Sequence, residues 1–388
     1  MANRFRLTLA QLNPTVGDIA GNAAKALDAW VKAKAAGADM VALPEMFITG
    51  YQAQDLVMKP AFGIACLDAI EDLAIATADG PAIGIGGPLA EVDNLYNAYF
   101  ILQRGKITAQ VRKHHLPNYA VFDEKRIFDP APIAGPVRVG PLRIGTPICE
   151  DAWYPDVCEA MAESGAQIIL VPNGSPYYRD KFDRRLTSMV SRVIENDLPL
   201  IYLNTVGGQD DQMFDGGSFA LNRGGRLALQ MPLFDEALQH IELSETDAGW
   251  VIEEGPKATH PDAWERDYRV MVQALRDYMA KTGFHKVLLG LSGGIDSALV
   301  ATIAVDALGA ENVRCVMLPS EYTSQSSLDD AKEVAETLGC RYDFVPISES
   351  QHAVTNSLAP LFEGTEPGLT EENIQSRLRG LLLMALSN

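Results

Sequence analysis

Short apolar runs alternate along the chain with longer segments in which apolar residues recur every three or four positions. The runs at residues 5–12, 38–43 and 82–86 predict buried strands, and the segments at 18–36 and 61–77 predict amphipathic helices. Strands separated by helices in this way are typical of a mixed α/β domain. The N-terminal part of the chain therefore predicts an α/β fold.

The same pattern continues through two hairpins and two further buried strands. Glycine-containing turns divide residues 95–112 and 218–229 into paired strand patterns, which predict hairpins. The apolar runs at 167–171 and 200–204 predict buried strands, and the segment at 181–196 predicts a helix with basic residues near its start.

The periodic pattern breaks between residues 243 and 261, where Glu, Ser, Thr, Gly, His and Pro cluster. A chain of 388 residues is too long for one ordinary core. We therefore predict two domains, at residues 1–246 and 263–388, joined by a linker at residues 247–262.

Beyond the linker, Asp262 is placed to cap a helix, and strand and helix patterns then alternate again. The strand patterns are at 286–291, 313–318 and 342–346, and helical patterns follow the first two of them. Alternation of this kind predicts a doubly wound parallel sheet, which binds its ligand beyond the carboxyl ends of its strands.

The composition narrows the choice of partners and compartment. A net charge of −19 argues against nucleic acid or an anionic membrane as the main partner, and its simplest role is solubility. Five cysteines without a Cys-x-x-Cys pair argue against a disulfide framework or a zinc site. No apolar run reaches membrane-spanning length and no signal peptide is evident, so we expect a cytoplasmic protein.

The segment Ser-Gly-Gly-Ile-Asp-Ser at residues 292–297 lies between a predicted strand and a predicted helix. Gly293 and Gly294 allow backbone amides to approach a ligand, and the helix N-terminus favours an anion. Gly-Gly alone would be interpreted as a tight capped turn, and no lysine of the common P-loop is present.

The full segment resembles the pyrophosphate loop of the ATP pyrophosphatase superfamily, which releases pyrophosphate from ATP and leaves an adenylate. This resemblance implies a Mg²⁺ ligand at Asp296. It also implies that ATP is bound by residues Gly290, Leu291, Ser292, Gly293, Gly294, Ile295, Asp296 and Ser297.

Three residues at predicted strand ends form a possible catalytic set: Glu45, Lys113 and Cys149. Taken singly, they would be a solvated carboxylate, a surface lysine and an inert buried thiol. Taken together, they have complementary chemistry, because a thiol needs a base to become a nucleophile. A buried carboxylate can be that base, and a lysine can stabilise the oxyanion that forms on an attacked amide.

The segments around these residues resemble the motifs of the nitrilase (carbon–nitrogen hydrolase) family. They are Leu43-Pro-Glu45, Lys113-His-His-Leu-Pro-Asn-Tyr119 and Ile148-Cys-Glu-Asp-Ala-Trp153. The resemblance implies an αββα sandwich and a Glu-Lys-Cys triad. Glu124 matches a second family glutamate that orients the lysine, although on sequence alone a surface charge is equally compatible.

The two halves together resemble the glutamine-dependent NAD synthetases, as do the segments at residues 319–327 and 369–377. This resemblance implies that ammonia from L-glutamine amidates deamido-NAD with ATP and Mg²⁺, and that the enzyme is a homo-oligomer. It also implies that Asn373 contacts deamido-NAD, and that L-glutamine is bound by Tyr119, Ser175 and Lys181. The family pattern continues past Asn388, so we expect an incomplete C-terminal domain, and the synthetase step by this chain alone stays open.

Two other functions remain open: a free-standing amidase with a nucleotide-binding C-terminal domain, and a catalytically silent nucleotide sensor. Two local interpretations also need a structural test. His114 and His115 are expected to point to opposite faces of a strand, away from any carboxylate at ligand spacing, and so to be structural. The acidic segment at 207–217 is expected to be a loop, either a lid or a solvated acidic surface, the second being slightly favoured.

Overall fold

The computed structural model describes residues 3–364 and 368–388. The chain forms two compact units, of which the first ends at Val270 and the second begins at Met271. Within the described residues, none of the helices combines the length and the apolar character needed to cross a membrane.

The first unit is built mainly from strands. In chain order they are β1 (Arg4–Gln11), β2 (Met40–Ala42), β3 (Ala82–Glu91), β4 (Asn94–Gln103), β5 (Lys106–Arg112), β6 (Val137–Val139), β7 (Leu142–Gly145), β8 (Ile168–Asn173), β9 (Leu200–Asn204), β10 (Val206–Gln209), β11 (Gln212–Asp215), β12 (Phe219–Asn222), β13 (Arg226–Gln230), β14 (Ala237–Thr246) and β15 (Gly249–Ile252). Its helices are α1 (Ile19–Ala35), α2 (Pro60–Ala76), α3 (Pro155–Glu163) and α4 (Lys181–Asn196).

The strands form two large sheets with an apolar core between them. One sheet has the order β15-β14-β1-β2-β3-β4-β5 and the other the order β13-β12-β9-β8-β7-β6. Along β2, alternate residues face different cores. Met40 and Ala42 pack in the cluster that contains both sheets, whereas Val41 packs against Trp30 of α1 and Cys66 of α2. The cluster shared by the sheets also contains buried residues of α3 and α4, which confirms the expected αββα sandwich.

The acidic segment at residues 207–217 is not the predicted loop, because β10 and β11 pair there as an antiparallel hairpin. Asp210 and Asp211 are at the tip of the hairpin, but Asp215 is buried and forms an ion pair with Arg185. The prediction of a wholly solvated acidic surface was therefore wrong for Asp215. Its partner is in a helix earlier in the chain and could not be recognised from local composition.

The helix α5 (Ala263–Thr282) begins in the first unit and ends in the second. Asp262 caps it as predicted, since its carboxylate accepts hydrogen bonds from the backbone N–H groups of Trp264 and Glu265. The second unit continues with β16 (Val287–Gly290), α6 (Ile295–Leu308), β17 (Val313–Met317), α7 (Gln325–Leu338), β18 (Arg341–Phe344), α8 (Ser348–Leu358) and α9 (Leu369–Ser387).

Among the described residues of the second unit, β16, β17 and β18 pair in parallel in that order. Residues of α6 and α7 pack with the strands around Leu291 and Cys315, and Leu382 and Leu383 of α9 pack with Val316 in a separate cluster. This arrangement confirms the predicted doubly wound parallel sheet and places the segment at 292–297 at the carboxyl end of β16.

Candidate active site and nucleotide loop

Four of the predicted site residues lie just beyond the ends of strands of the sandwich. Glu45 follows β2 and Lys113 follows β5, both in the seven-stranded sheet, whereas Cys149 follows β7 and Ser175 follows β8 in the six-stranded sheet. The four side chains are buried. The two sheets therefore contribute different chemical groups to one region.

Lys113 is the centre of a buried charge cluster. Its ammonium Nζ lies 2.7 Å from Glu45 Oε1 and 2.8 Å from Glu124 Oε2. The side chains of Lys113 and Glu45 are completely buried, and Glu124 is 3% exposed. Glu124 is therefore not a surface charge, and its contact with Lys113 agrees with the orienting position that the family resemblance implies.

Neutral groups complete the polar contacts of the two carboxylates. Asn97 Nδ2 donates to Glu45 Oε1 at 2.7 Å and, more weakly, to Glu124 Oε1 at 3.3 Å. The backbone N–H of Gly174 donates to Glu45 Oε2 at 2.7 Å, and the hydroxyl of Tyr51 donates to Glu124 Oε1 at 2.9 Å. A buried charge is stable only when it is paired and hydrogen-bonded, and both conditions are met here.

The charges in the cluster change the proton affinity of each group. Burial raises the pKa of Glu124 to about 7, against the lowering effect of Lys113. Burial alone would lower the pKa of Lys113, but the carboxylates of Glu124 and Glu45 raise it well above its usual value. Burial, together with the charge of Glu45, raises the pKa of the Cys149 thiol well above its usual value. The thiol is therefore neutral at rest and needs a base before it can attack.

Cys149 begins a short 3₁₀ turn, Cys149–Trp153, and its φ of +48° is in the left-handed region. Residues other than glycine, Asn and Asp rarely adopt this conformation, so the turn stores strain at the thiol. Asp151 stabilises the turn, because its Oδ2 accepts a hydrogen bond from the backbone N–H of Ile148 at 3.0 Å. A thiol held beside a carboxylate and an ammonium can add to an amide carbon.

The three predicted glutamine contacts surround this turn. The hydroxyl of Tyr119 donates to Glu150 Oε2 at 2.9 Å, and Glu150 directly follows Cys149. Lys181, at the start of α4, places its ammonium over the ring of Trp153, the last residue of the turn, at 4.5 Å from the ring centroid. Ser175 Oγ accepts a hydrogen bond from Nε of Arg185, which lies one turn after Lys181 in α4.

A cavity of about 680 Å³ lies beside the turn. Tyr119 and Glu150 line it, together with residues of the segment 114–118, but none of the three residues Glu45, Lys113 and Cys149 does. The cavity therefore borders the region of the buried cluster and does not contain it.

Sequence reasoning missed three residues of this region: Asn97, Glu150 and Arg185. Arg185 is buried, pairs with Asp215 at 2.7 Å, and donates from Nη2 to the carbonyl of Ser175 at 2.7 Å. The sequence feature that could have identified Arg185 is its helical spacing from Lys181, which puts both basic side chains on the buried face of α4. The signal for Asn97 was a single amide within the apolar interior of β4, at residues 95–102.

The expectation that His114 and His115 point to opposite faces was wrong. The strand β5 ends at Arg112, so strand alternation does not extend to the two histidines. Their rings contact each other edge to face, with centroids 4.5 Å apart. His115 Nε2 also lies 2.9 Å from both carboxylate oxygens of Asp156, a partner far along the chain.

The predicted nucleotide loop at residues 292–297 is built from glycines and serine hydroxyls, unlike the charged cluster of the first unit. Gly293 has a φ of +81°, and a Cβ at this position would lie 2.3 Å from the backbone oxygen of Ser327. Ser292 and Ser297 close the loop through their hydroxyl oxygens, which are 3.1 Å apart, and Ser297 Oγ donates to the carbonyl of Gly294 at 2.9 Å. The helix α6 then begins at Ile295.

The remaining predicted contacts of the second unit are exposed. Asp296 lies in the first turn of α6, and Asn373 lies in the first half of α9. A cavity of about 340 Å³ adjoins the loop and is lined by Gly290, Leu291, Ser292 and residues that include Arg379 of α9. A helix N-terminus that follows a glycine turn is suited to phosphate binding.

Two family models match separate parts of the chain. The carbon-nitrogen hydrolase model matches residues 6–249, and the NAD synthase model matches residues 267–388.

Curated relatives match over the whole length of this chain. The glutamine-dependent NAD(+) synthetase of Rhodobacter capsulatus is 57% identical over 388 residues, covering 100% of this chain and 70% of the relative. The enzyme of the same name from Xanthomonas campestris is 40% identical over 395 residues, with the same coverage.

Solved structures agree with these matches. The glutamine-dependent NAD+ synthetase from Acinetobacter baumannii, solved in complex with ADP, has a TM-score of 0.95 and 36% identity, covering 100% of this chain and 73% of that one. An amidase from Nesterenkonia sp. AN1 has a TM-score of 0.56 at 22% identity, covering 62% of this chain and 90% of that one, and supports the fold of the first unit.

Proposed function

The chain belongs to the glutamine-dependent NAD(+) synthetases, and from this premise we propose how its residues divide the reaction between two sites. The first site takes ammonia from L-glutamine. The second uses ATP to activate the nicotinate carboxylate of deamido-NAD, which ammonia then converts to the amide of NAD. The products are NAD, AMP, pyrophosphate and glutamate.

In the first site, Cys149 is the nucleophile and Glu45 is the base. Glu45 accepts the thiol proton as Sγ adds to the side-chain amide carbon of glutamine, and the ammonium of Lys113 stabilises the oxyanion. Glu45 then passes the proton to the leaving ammonia, which leaves a thioester. A water molecule deprotonated by Glu45 hydrolyses the thioester and releases glutamate.

Glu124 keeps Lys113 in place during these steps. The lysine lies between two carboxylates, so movement toward either one would lengthen its contact with the other. Glu124 is therefore a positioning residue, and Lys113 can act on the oxyanion without reorganisation.

We assign recognition of glutamine to Tyr119, Ser175 and Lys181. Glutamine carries an α-carboxylate and an α-ammonium, and the surroundings of the turn offer a charge for each. The ammonium of Lys181 suits the carboxylate, and the buried carboxylate of Glu150, held by Tyr119, suits the ammonium.

In the second site, residues 290–297 bind ATP, with pyrophosphate held by the amides of Gly293 and Gly294 and the hydroxyl of Ser297. The positive φ of Gly293 and the closeness of the Ser327 backbone support this assignment, because only glycine holds the loop in this conformation. The N–H of Gly294 donates to Ser292 Oγ at 3.3 Å, a weak contact that a phosphate oxygen would replace. Asn373 contacts deamido-NAD.

The residues present fit Mg²⁺. Asp296 offers an exposed carboxylate beside the phosphate loop, and Mg²⁺ in nucleotide sites is usually held by one or two carboxylates with phosphate oxygens and water. When bound, Mg²⁺ neutralises phosphate charge, which the net charge of −19 otherwise repels.

The proposal depends most on the buried contact of Lys113 with Glu45 and Glu124 beside Cys149. Incubation with amide-¹⁵N-labelled glutamine, ATP, deamido-NAD and Mg²⁺ should give NAD labelled in its carboxamide. Labelled glutamine with excess unlabelled ammonium should still give mostly labelled NAD if ammonia passes internally. NAD formed from ammonium but never from glutamine would reject the first site, and glutamate formed without NAD would favour a free-standing amidase.

We also propose the bounds 1–246 and 263–388 for the two domains, with a linker at 247–262. The structure places β15 (Gly249–Ile252) of the first sheet inside this range, so limited proteolysis should cut first in the part of the linker that follows it, at residues 253–262. Five free thiols are compatible with the cytoplasm, and family resemblance supports a homo-oligomer, which light scattering of the purified protein would test.

A further inference from the structure

We propose that His114, His115 and Asp156 form a binding site for a divalent transition-metal ion of the Zn²⁺ class. One ligand atom from each residue lies within 4.8 Å of the other two. The chemistry of glutamine hydrolysis proposed above does not use these side chains. The two histidines line the cavity of about 680 Å³, so solvent and ions can reach them.

The hydrogen bond of His114 leaves one ring nitrogen with a lone pair for a metal. His114 Nδ1 lies 2.6 Å from the carbonyl oxygen of Ala131, which can only accept, so Nδ1 carries the proton and Nε2 carries the lone pair. Metal-binding histidines almost always donate their other ring N–H to such a partner, which fixes the tautomer and the ring orientation. His114 is therefore prepared as a ligand.

The backbone that carries both histidines is held by one buried carboxylate. Asp151 Oδ1 accepts hydrogen bonds from the backbone N–H groups of His114, at 3.0 Å, and His115, at 2.7 Å. Its other oxygen accepts from Ile148, beside Cys149. Asp156 follows the same turn at the start of α3. The three ligands are thus supported by the turn that holds the nucleophile.

The separations are close to those of a tetrahedral zinc site. Ligand atoms at about 2.0 Å from a tetrahedral zinc ion lie roughly 3.3 Å apart. His115 Nε2 and Asp156 are 2.9 Å apart, and the longest separation in the group is at most 4.8 Å. One of these separations is shorter than the roughly 3.3 Å of a tetrahedral site and the longest can be greater, so modest side-chain rotations would bring the three ligand atoms around an ion. The cavity leaves room for a water molecule as the fourth ligand.

The choice of ligands favours zinc and its neighbours over Mg²⁺ or Ca²⁺. Two imidazoles and one carboxylate are typical of Zn²⁺ sites with an open position, whereas the hard cations require oxygen ligands. Asp156 is exposed and His115 half-buried, so we expect reversible binding that responds to free metal and not a permanent structural ion.

Binding should reduce the use of glutamine, an effect that rests on the function proposed above. His114 and His115 share the cavity with Tyr119 and Glu150, and the ion would join their segment to the start of α3. Its positive charge would also compete with the α-ammonium of glutamine for Glu150. The KM for glutamine should therefore rise when the site is filled, while ammonia-dependent synthesis of NAD should not change.

Metal binding can be measured without any activity. Untagged, metal-stripped full chain is titrated with Zn²⁺ against a chromogenic chelator, and Co²⁺ is used to record ligand-field spectra. We expect one ion per chain, with Co²⁺ bands of a tetrahedral site and no thiolate charge-transfer band. His115→Gln and Asp156→Asn should each weaken binding at least about tenfold.

Two variants serve as controls. Cys149→Ser should bind Zn²⁺ as wild type does, because the thiol is not a ligand. His352→Gln removes a matched histidine, which pairs with Glu321 at 3.0 Å on the exposed surface of the second unit, and it should also bind normally. Unfolding midpoints without metal establish that each variant is folded, and Asp156→Asn, at an exposed position, decides the matter if His115→Gln does not fold.

Equal affinity for Zn²⁺ in wild type, His115→Gln and Asp156→Asn would overturn the site, as would loss of binding in Cys149→Ser alone. If binding is lost in the two ligand variants but Zn²⁺ leaves the KM for glutamine unchanged, the site stands and its effect on glutamine is rejected. Failure of the proposed function itself would differ from both, because no glutamate would then form even without metal.

Discussion

The buried cluster around Lys113 and the loop around Gly293 meet opposite physical demands. The cluster holds charged side chains in fixed positions away from water, whereas the loop is a glycine turn with serine hydroxyls at a helix N-terminus. Amide hydrolysis needs charge placed in advance at the reacting atoms. A nucleotide brings its own charge and needs access, which is what the function proposed for the loop requires. Changes in the first region should therefore affect stability as well as chemistry, and changes in the second should affect mainly binding.

The largest expected effect comes from removing the nucleophile. Cys149→Ala should lower glutamine-dependent NAD formation on the order of 10⁴–10⁶-fold, because the reacting atom is lost. With ammonium as the nitrogen source, NAD formation should stay close to wild type. Both rates are measured by NAD production at saturating ATP. An equal loss with ammonium would mean that the two regions are not separable.

The next effect separates buried from exposed charge. Arg185→Met leaves the carboxylate of Asp215 buried without its partner, and such a change costs about 3–5 kcal/mol of unfolding free energy. Urea unfolding followed by tryptophan fluorescence would measure it. Arg179→Met is the matched control, because Arg179 pairs with Asp267 at the exposed surface, and it should shift the midpoint far less. Similar shifts in the two variants would contradict the claim that buried charge pairs contribute more to stability than exposed ones.

A substitution in the loop tests the claim that backbone access matters there. Gly293→Ala imposes the cost of a left-handed residue and a close contact with Ser327, so we expect kcat/KM for ATP to fall roughly 10–100-fold. Gly339→Ala is the control, because Gly339 also has a positive φ but has no atom within 4 Å of a built Cβ. It should lose some stability and keep its ATP kinetics. Equal ATP kinetics in Gly293→Ala and wild type would show that the amides are not used.

The smallest expected effect is the pH dependence of stability that Glu124 causes. The folded pKa of Glu124, about 7, lies above its ordinary value of 4.5. Between these pH values, Glu124 therefore binds fewer protons in the unfolded chain than in the folded one. The stability that Glu124 contributes is fully present below about pH 4.5 and is lost as the pH rises through about 7. Compared with Glu124→Gln, wild type should lose roughly 1–3 kcal/mol between pH 5 and pH 8. Parallel stability–pH curves for the two proteins would contradict a raised pKa.

Local signals predicted the framework well. The apolar periodicity predicted a mixed α/β first domain and the parallel sheet of the second, whereas the αββα sandwich was implied by the family resemblance. Glu45, Lys113 and Cys149 were identified because they follow predicted strands within segments that resemble the nitrilase motifs. The roles of these residues remain predictions that the variants above test.

The sequence alone did not predict pairs of side chains that are far apart along the chain. Asp215 was interpreted as solvated because its partner, Arg185, lies in another element, and His115 lacked a visible ligand because Asp156 comes 41 positions later. A charge run and a buried ion pair have the same local composition, and only the fold distinguishes them. Glu124 was left undecided for the same reason.

The pairing of β1 with β14 has a consequence for the synthesis of the protein. Arg4 pairs with Ser244 and Gln11 with Ala237, so an inner strand of the first sheet lacks one neighbour until almost the whole unit has been translated. At roughly 5–20 residues per second, this delay on the ribosome is on the order of 10–50 seconds. During that time the open edge of β1 can pair with other nascent chains. We therefore expect the expression yield to depend on chaperones that shield this edge until β14 emerges, more than the stability of the finished protein suggests.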